Sequence, residues 1–112
     1  MNNGFVYLAS PYSHADSRTR AIRYWEILHH AADAMAAGTV IYSPIVHGHN
    51  IAELLPDALL LDHEFWMLQS LPMLRKADEL WVIMIDGWKT SEGVTREVEF
   101  ARDNGIPVKY IP

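Results

Sequence analysis

Residues Phe5-Val6-Tyr7-Leu8-Ala9 form a short, continuous apolar run that stops at Ser10-Pro11, the pattern of a strand covered on both faces. Apolar positions then recur at steps of three and four. Ile22, Trp25, Leu28, Ala32, Met35 and Ala36 predict a helix from about Asp16 to Ala37, with Ser13 or Asp16 as its N-cap and Gly38 as its stop. Thr39 to Ser43 reads as a second strand ended by Pro44, and Ile45 to Pro56 as an irregular segment, long for so small a domain and therefore a functional candidate. A second helical stretch begins between Asp57 and Asp62 and carries Leu61, Phe65, Leu68 and Leu71; Pro72 is expected to interrupt it or to open a further short turn. Glu79 to Ile85 reads as a third strand, Asp86 to Thr90 as a turn, Ser91 to Asn104 as a third helix ending at Gly105, and Pro107 to Ile111 as a fourth strand.

Apolar strands alternating with helices predict a parallel sheet covered on both faces and joined by right-handed crossovers. The expected fold is a single α/β domain over residues 1–112: small, doubly wound, flavodoxin-like, three-layered, with a four- or five-stranded mainly parallel sheet. No internal repeat or linker divides the chain. Half of the 112 residues are hydrophobic, so a core can form without disulfides, and the absence of cysteine excludes thiol catalysis and zinc ribbons. Nine Lys+Arg against 14 Asp+Glu, a net charge of −5, argue against a nucleic-acid polymer or an anionic membrane as partner. The stretch Ala34 to Ala52 lacks charged residues but is broken by Gly38, Pro44 and Gly48, so it does not read as a membrane span. The first basic residue is Arg18, without the charged start of a secretory signal, which leads to an expectation of a cytoplasmic protein. Four tryptophans, Trp25, Trp66, Trp81 and Trp88, point to a homo-oligomer, because aromatic residues are enriched at interface cores.

In doubly wound sheets, ligands bind beyond the carboxyl ends of the strands where the strand order reverses. Ser10, Pro11 and Tyr12 follow the first strand, His47 lies with Gly48 and His49 after the second, and Asp86 and Trp88 flank Gly87 after the third; these are the candidate substrate-binding residues. The third helix gives the sharpest signal. Val94, Val98 and Ala101 form a stripe that should pack on the sheet, and Glu97 falls inside it while Glu92, Arg96, Glu99 and Asp103 point outward. A carboxylate on a buried face needs a partner or a raised pKa. The plain alternative is a Glu hydrogen-bonded to a neighbour at the rim of the core.

At the entrance of that helix, Ser91 and Gly93 can cap the chain or hold an anion on free backbone N–H groups. Asp62 can cap the preceding helix or project into the cleft. The alternating pair His47 and His49 gives at most two metal ligands with nothing to fix a third, so no metal or cofactor is expected and a His-dependent metal hydrolase stays an alternative. Gly-x-Ser-x-Gly, Gly-x-Gly-x-x-Gly and P-loop patterns do not occur.

Taken together, Tyr7-Leu8-Ala9-Ser10-Pro11-Tyr12 and Ser91-x-Gly93-Val94-x-x-Glu97-x-x-x-Ala101 resemble the nucleoside 2-deoxyribosyltransferase-like superfamily in order and spacing, and the likeness extends over Asp62 and the Ala77-Asp78 step. The chain looks most similar to a small bacterial and phage branch of undefined function. The resemblance implies Glu97 as the nucleophile that attacks the anomeric carbon, Tyr7 beside it, Asp62 contacting the sugar or protonating the departing base, and Ser91 and Gly93 holding a 5′-phosphate. The hydrolases of the superfamily carry a Gly-rich loop after the first strand, where this chain has Ser10-Pro11-Tyr12-Ser13-His14. The implied function is an N-glycosidase or deoxyribosyltransferase acting on a nucleoside or nucleoside 5′-monophosphate. The alternative from another class is a nucleotide-binding sensor without chemistry.

Overall fold

A computed structural model describes residues 4–112. The elements run β1 (Val6–Ala9), α1 (Ser17–Ala36), β2 (Ile41–Tyr42), α2 (Pro44–Ala52), α3 (Asp57–Leu60), α4 (His63–Arg75), β3 (Glu79–Ile83), α5 (Glu92–Asp103) and β4 (Val108–Ile111). The four strands form one parallel sheet in the order β2-β1-β3-β4. The chain moves outward from β1 to β2 and then returns past β1 to β3, so the order reverses between β1 and β3. That reversal places connecting helices on both faces, as right-handed crossovers require. The result is the three-layered α/β domain expected from the alternation of patterns. Among the described residues, no helix is long and apolar enough to cross a membrane.

Strand alternation divides the core. Tyr7 and Ala9 of β1 and Leu80 and Val82 of β3 face Leu74 of α4 and Val94, Val98 and Ala101 of α5, whereas Leu8 and Ile83 face Ile27 and Ala31 of α1. The register pairs Tyr7 with Leu80 and Ala9 with Val82, so each layer is built from side chains at the same height. Below the sheet's entry edge, Asp78 accepts a hydrogen bond from the Gly4 N–H at 3.1 Å and fixes the start of β1.

Four expectations need correction. The segment Ile45 to Pro56 is mostly helical: the Ser43 hydroxyl accepts from the Val46 N–H at 3.1 Å, and Pro44 occupies the first turn, where its missing N–H costs nothing. Pro72 does not interrupt α4, which continues to Arg75. It lies on the exposed side, where the carbonyl of exposed Leu68 that loses its donor can turn to water. The buried stripe of α4 is Met67, Ser70 and Leu74, while Leu68 is 74% exposed. The buried stripe of α1 is likewise Ile27 and Ala31, leaving Ile22 and Trp25 outside. Each of these helices carries two apolar stripes, and the position of the sheet selects between them.

Candidate active site

The carboxyl ends of β1 and β3, the first turns of α4 and α5 and the inner side of α2 surround a cavity of about 440 Å³. Its floor is built from α5. Glu97 is on the same helical stripe as Val94, Val98 and Ala101, is 4% exposed, and reaches the cavity. The Tyr7 hydroxyl donates a hydrogen bond to Glu97 Oε2 from the neighbouring strand. Burial pushes the Glu97 carboxyl up to about 8, and the Tyr7 hydrogen bond opposes that rise only in part. Tyr7 is itself raised, by its own burial and by the neighbouring Glu97, while a hydrogen bond with the Ser70 hydroxyl acts in the opposite direction. The three side chains come from β1, α4 and α5, so their meeting depends on the packing of all three.

Ser10 stands where β1 ends, lines the cavity, is 5% exposed, and its Oγ has no hydrogen-bond partner among the described residues. Buried hydroxyls are nearly always paired, so an unpaired one in a cavity wall is an open position for a polar ligand. At the rim, Ser91 caps α5 by accepting from the Val94 N–H at 3.2 Å. Gly93 keeps that entrance open: a Cβ there would have its nearest neighbours, Met67 Cε, Ser91 Oγ and His63 Cε1, 3.9 to 4.0 Å away. One turn of α5, about 5.4 Å along the axis, separates Gly93 from Glu97.

The opposite wall comes from α1, α2 and the segment after β1. Tyr12 and His49 both line the cavity; the Tyr12 hydroxyl and His49 Nδ1 are 2.8 Å apart, and the imidazole stacks on Tyr24 at 3.8 Å with 12° between the rings. Gly48 lets α2 approach α4, since a Cβ there would meet the Trp66 ring at 3.1 Å. Arg23 of α1 also reaches the cavity, where it donates to the Ser13 carbonyl at 2.9 Å, and a Cβ on Gly87 would collide with its guanidinium.

Of the residues singled out from the sequence, Glu97, Ser10, Tyr12, Ser91 and Gly93 line this cavity, with Tyr7 directly behind Glu97. The others lie elsewhere. Asp62 caps α4, accepting from the Glu64 and Phe65 N–H groups at 3.0 and 3.3 Å, and is not part of the cavity wall. Its carboxylate is engaged where the helix dipole favours a negative charge. Because residues 47 and 49 are on a helix, about 200° separates them: His49 turns inward, while His47 is exposed and packs against Tyr42 at 5.7 Å. The same separation removes the paired-ligand idea, and no group of three or more potential ligands converges on a metal position among the described residues. Pro11 is fully buried, Asp86 is exposed in the turn, and Trp88 packs on Tyr110 at 5.7 Å.

Sequence reasoning missed Arg23 and Ser70 as cavity residues, noted His63 only as a neighbour of the histidine pair, and placed His49 beyond the second strand without giving it a role apart from His47. Ser70 did carry a readable signal. It sits between Met67 and Leu74 on a helical stripe, the same polar-on-apolar anomaly that marks Glu97.

A family model described as a domain of unknown function (DUF1937) matches residues 4–111. No curated protein matches the chain.

Proposed function

From the premise that the chain belongs to the DUF1937 family over nearly its whole length, we propose that it cleaves the N-glycosidic bond of a nucleoside or nucleoside 5′-monophosphate, as a hydrolase or a deoxyribosyltransferase, with Glu97 as nucleophile. The observation that carries this is a carboxyl group sealed from bulk water, held by a tyrosine hydroxyl, and open to a cavity large enough for a small ligand. The nucleoside 2-deoxyribosyltransferase-like likeness of the Tyr7 and Glu97 segments supports the choice of bond.

A nucleoside 5′-monophosphate laid along the cavity has its phosphate at the N-terminus of α5, beside Ser91, Gly93 and His63, where free N–H groups favour an anion. Its sugar then lies over Glu97, one turn further along, and its base points to the wall of Tyr12 and His49. Ionised Glu97 attacks the anomeric carbon as the carbon–nitrogen bond breaks toward the base, and the bonding pair left on the base nitrogen takes a proton. With Asp62 committed to its cap, that proton comes from His49, whose ring is oriented by Tyr12 and Tyr24. In the second step water, or the nitrogen of another base, attacks the anomeric carbon, releases the Glu97 carboxylate and returns its proton to His49.

The test is overnight incubation with a panel of deoxynucleosides and their 5′-monophosphates, with free base measured by chromatography. Base should be released by the wild-type protein and not by Glu97→Gln. Equal release by both would remove Glu97 from the role. One observation favours a second reading, in which the cavity binds a nucleotide without cleaving it: with its pKa raised to about 8, Glu97 holds its proton at neutral pH and can donate a hydrogen bond. Calorimetric binding with no base released at pH 7 or pH 9 would select that reading.

A further inference from the structure

Arg23 lies at the point where the strand order reverses. It is half-buried and reaches the cavity between the segments that follow β1 and β3. Nη1 donates to the Ser13 carbonyl at 2.9 Å, and a Cβ on Gly87 would overlap Nη2 and stand 3.0 Å from Cζ. The two loops therefore hold the guanidinium in one orientation, and only a glycine at position 87 leaves it room. In a chain with 14 Asp+Glu against 9 Lys+Arg, Arg96 and Lys109 each pair with a carboxylate, whereas Arg23 makes no ion pair among the described residues. Ser13 engages one of the five N–H groups of the fork, which leaves the rest for a ligand.

Ser10 is a second, independent sign of a ligand in the same cavity: it is 5% exposed, and its Oγ has no partner among the described residues. The next residue of α1, Tyr24, stacks on His49 at 3.8 Å, so Arg23 enters from the wall that a base would face. Given the nucleoside reading of the cavity, on which this rests, we propose that Arg23 reads the base, with Ser10 as a further contact. It selects bases that carry two adjacent hydrogen-bond acceptors: O6 and N7 of guanine or hypoxanthine, or O2 and N3 of cytosine.

A planar fork of donors matches a pair of acceptors in one plane, the geometry by which arginine recognises guanine. Adenine and thymine offer no such pair and turn an N–H donor toward one arm of the fork. A second anionic group is the poorer fit, because Glu92 and Glu97 line the same cavity and would repel it. The hydroxyl of Ser10 donates or accepts, so it can complete the hydrogen bonding of any of the three bases. As the carbon–nitrogen bond breaks, the electron pair left on the base spreads onto the two acceptors. The positive charge of Arg23 then stands where negative charge develops.

Calorimetric titration of the Glu97→Gln protein, in which cleavage is blocked, tests this with the deoxynucleoside 5′-monophosphates of guanine, hypoxanthine, cytosine, adenine and thymine. Either the two 6-oxopurines or cytosine should bind roughly tenfold to a hundredfold more tightly than adenine and thymine, and their order tells which acceptor pair is read. Arg23→Lys in the same protein keeps the charge, loses the fork, and should abolish the preference. Ser10→Ala should weaken the preferred ligand without lowering the melting temperature, since it removes an unpaired buried hydroxyl. Equal affinity for all five bases would overturn the proposal and leave cleavage by Glu97 in place. A preference that survives Arg23→Lys, or an equal loss for all five, would also overturn it. If none of the five binds, the nucleoside reading falls and this proposal with it.

Discussion

A carboxylic acid that folding seals away from water gives up its proton only at a cost, and Glu97 is such a group. Its pKa is raised from 4.5 to about 8, so the folded chain binds a proton more tightly than the unfolded one. The stability this contributes is complete below about pH 4.5 and is lost as pH rises through about 8. Glu97→Gln lacks that dependence. Its melting temperature should lie close to the wild type's at pH 4.5 and exceed it by a growing margin up to pH 8, corresponding to a few kcal/mol or less. A constant difference across that range, read by scanning calorimetry, would mean that the acid is not sealed. In the proposed reaction only ionised Glu97 attacks while the leaving base must still receive a proton, so kcat/KM should follow a bell with one limb set by the ionisation of Glu97. Tyr7→Phe removes a hydrogen bond that favours the carboxylate form, so it should move that limb to higher pH and lower the rate roughly tenfold to a hundredfold. A fall in rate with an unmoved limb would reduce Tyr7 to packing.

At the scale of elements, α5 and α2 do the positioning. The first turn of α5 is open because Gly93 has no side chain, and a Cβ added there would meet only ordinary contacts. Gly93→Ala should therefore fold at least as well as wild type, with roughly 1 kcal/mol of helix propensity in its favour. It should bind a 5′-monophosphate less tightly while binding of the unphosphorylated nucleoside changes little; equal losses for both ligands would place the phosphate elsewhere. The helical conformation of α2 separates His49 from His47. His49→Ala should lower the rate of base release about a hundredfold, within the usual range for a positioned acid, and His47→Ala should leave it within twofold. At the rim, Arg96 of α5 and Glu64 of α4 pair at 2.6 Å, but both are exposed, so the contact locates the two helices more than it stabilises them.

The whole molecule adds the sheet reversal. The reversal between β1 and β3 brings Tyr7 and Ser10 from one end of the sequence beside α5 at the other, across 90 residues between Tyr7 and Glu97.

Local pattern was enough to locate the strands, the cap at Ser91, the three-layered α/β architecture and the place of Glu97 on the apolar stripe of its helix, and it narrowed the first helix's cap to Ser13 or Asp16. Each depends on neighbours within a few residues: a run before a proline, a hydroxyl three residues before an N–H, a polar residue inside an apolar stripe. Tertiary structure alone decided which of two apolar stripes α1 and α4 bury, that Pro44 begins a helix while Pro72 sits harmlessly within one, and that Asp62 caps while His49 and Ser70 join the cavity. The physical reason is that helical periodicity sets the angles between side chains on one element, but the absolute direction of those side chains is set by the surface against which the element packs. For α1 and α4 that surface is made largely by β1 and β3, strands distant in the chain and adjacent only in the finished sheet.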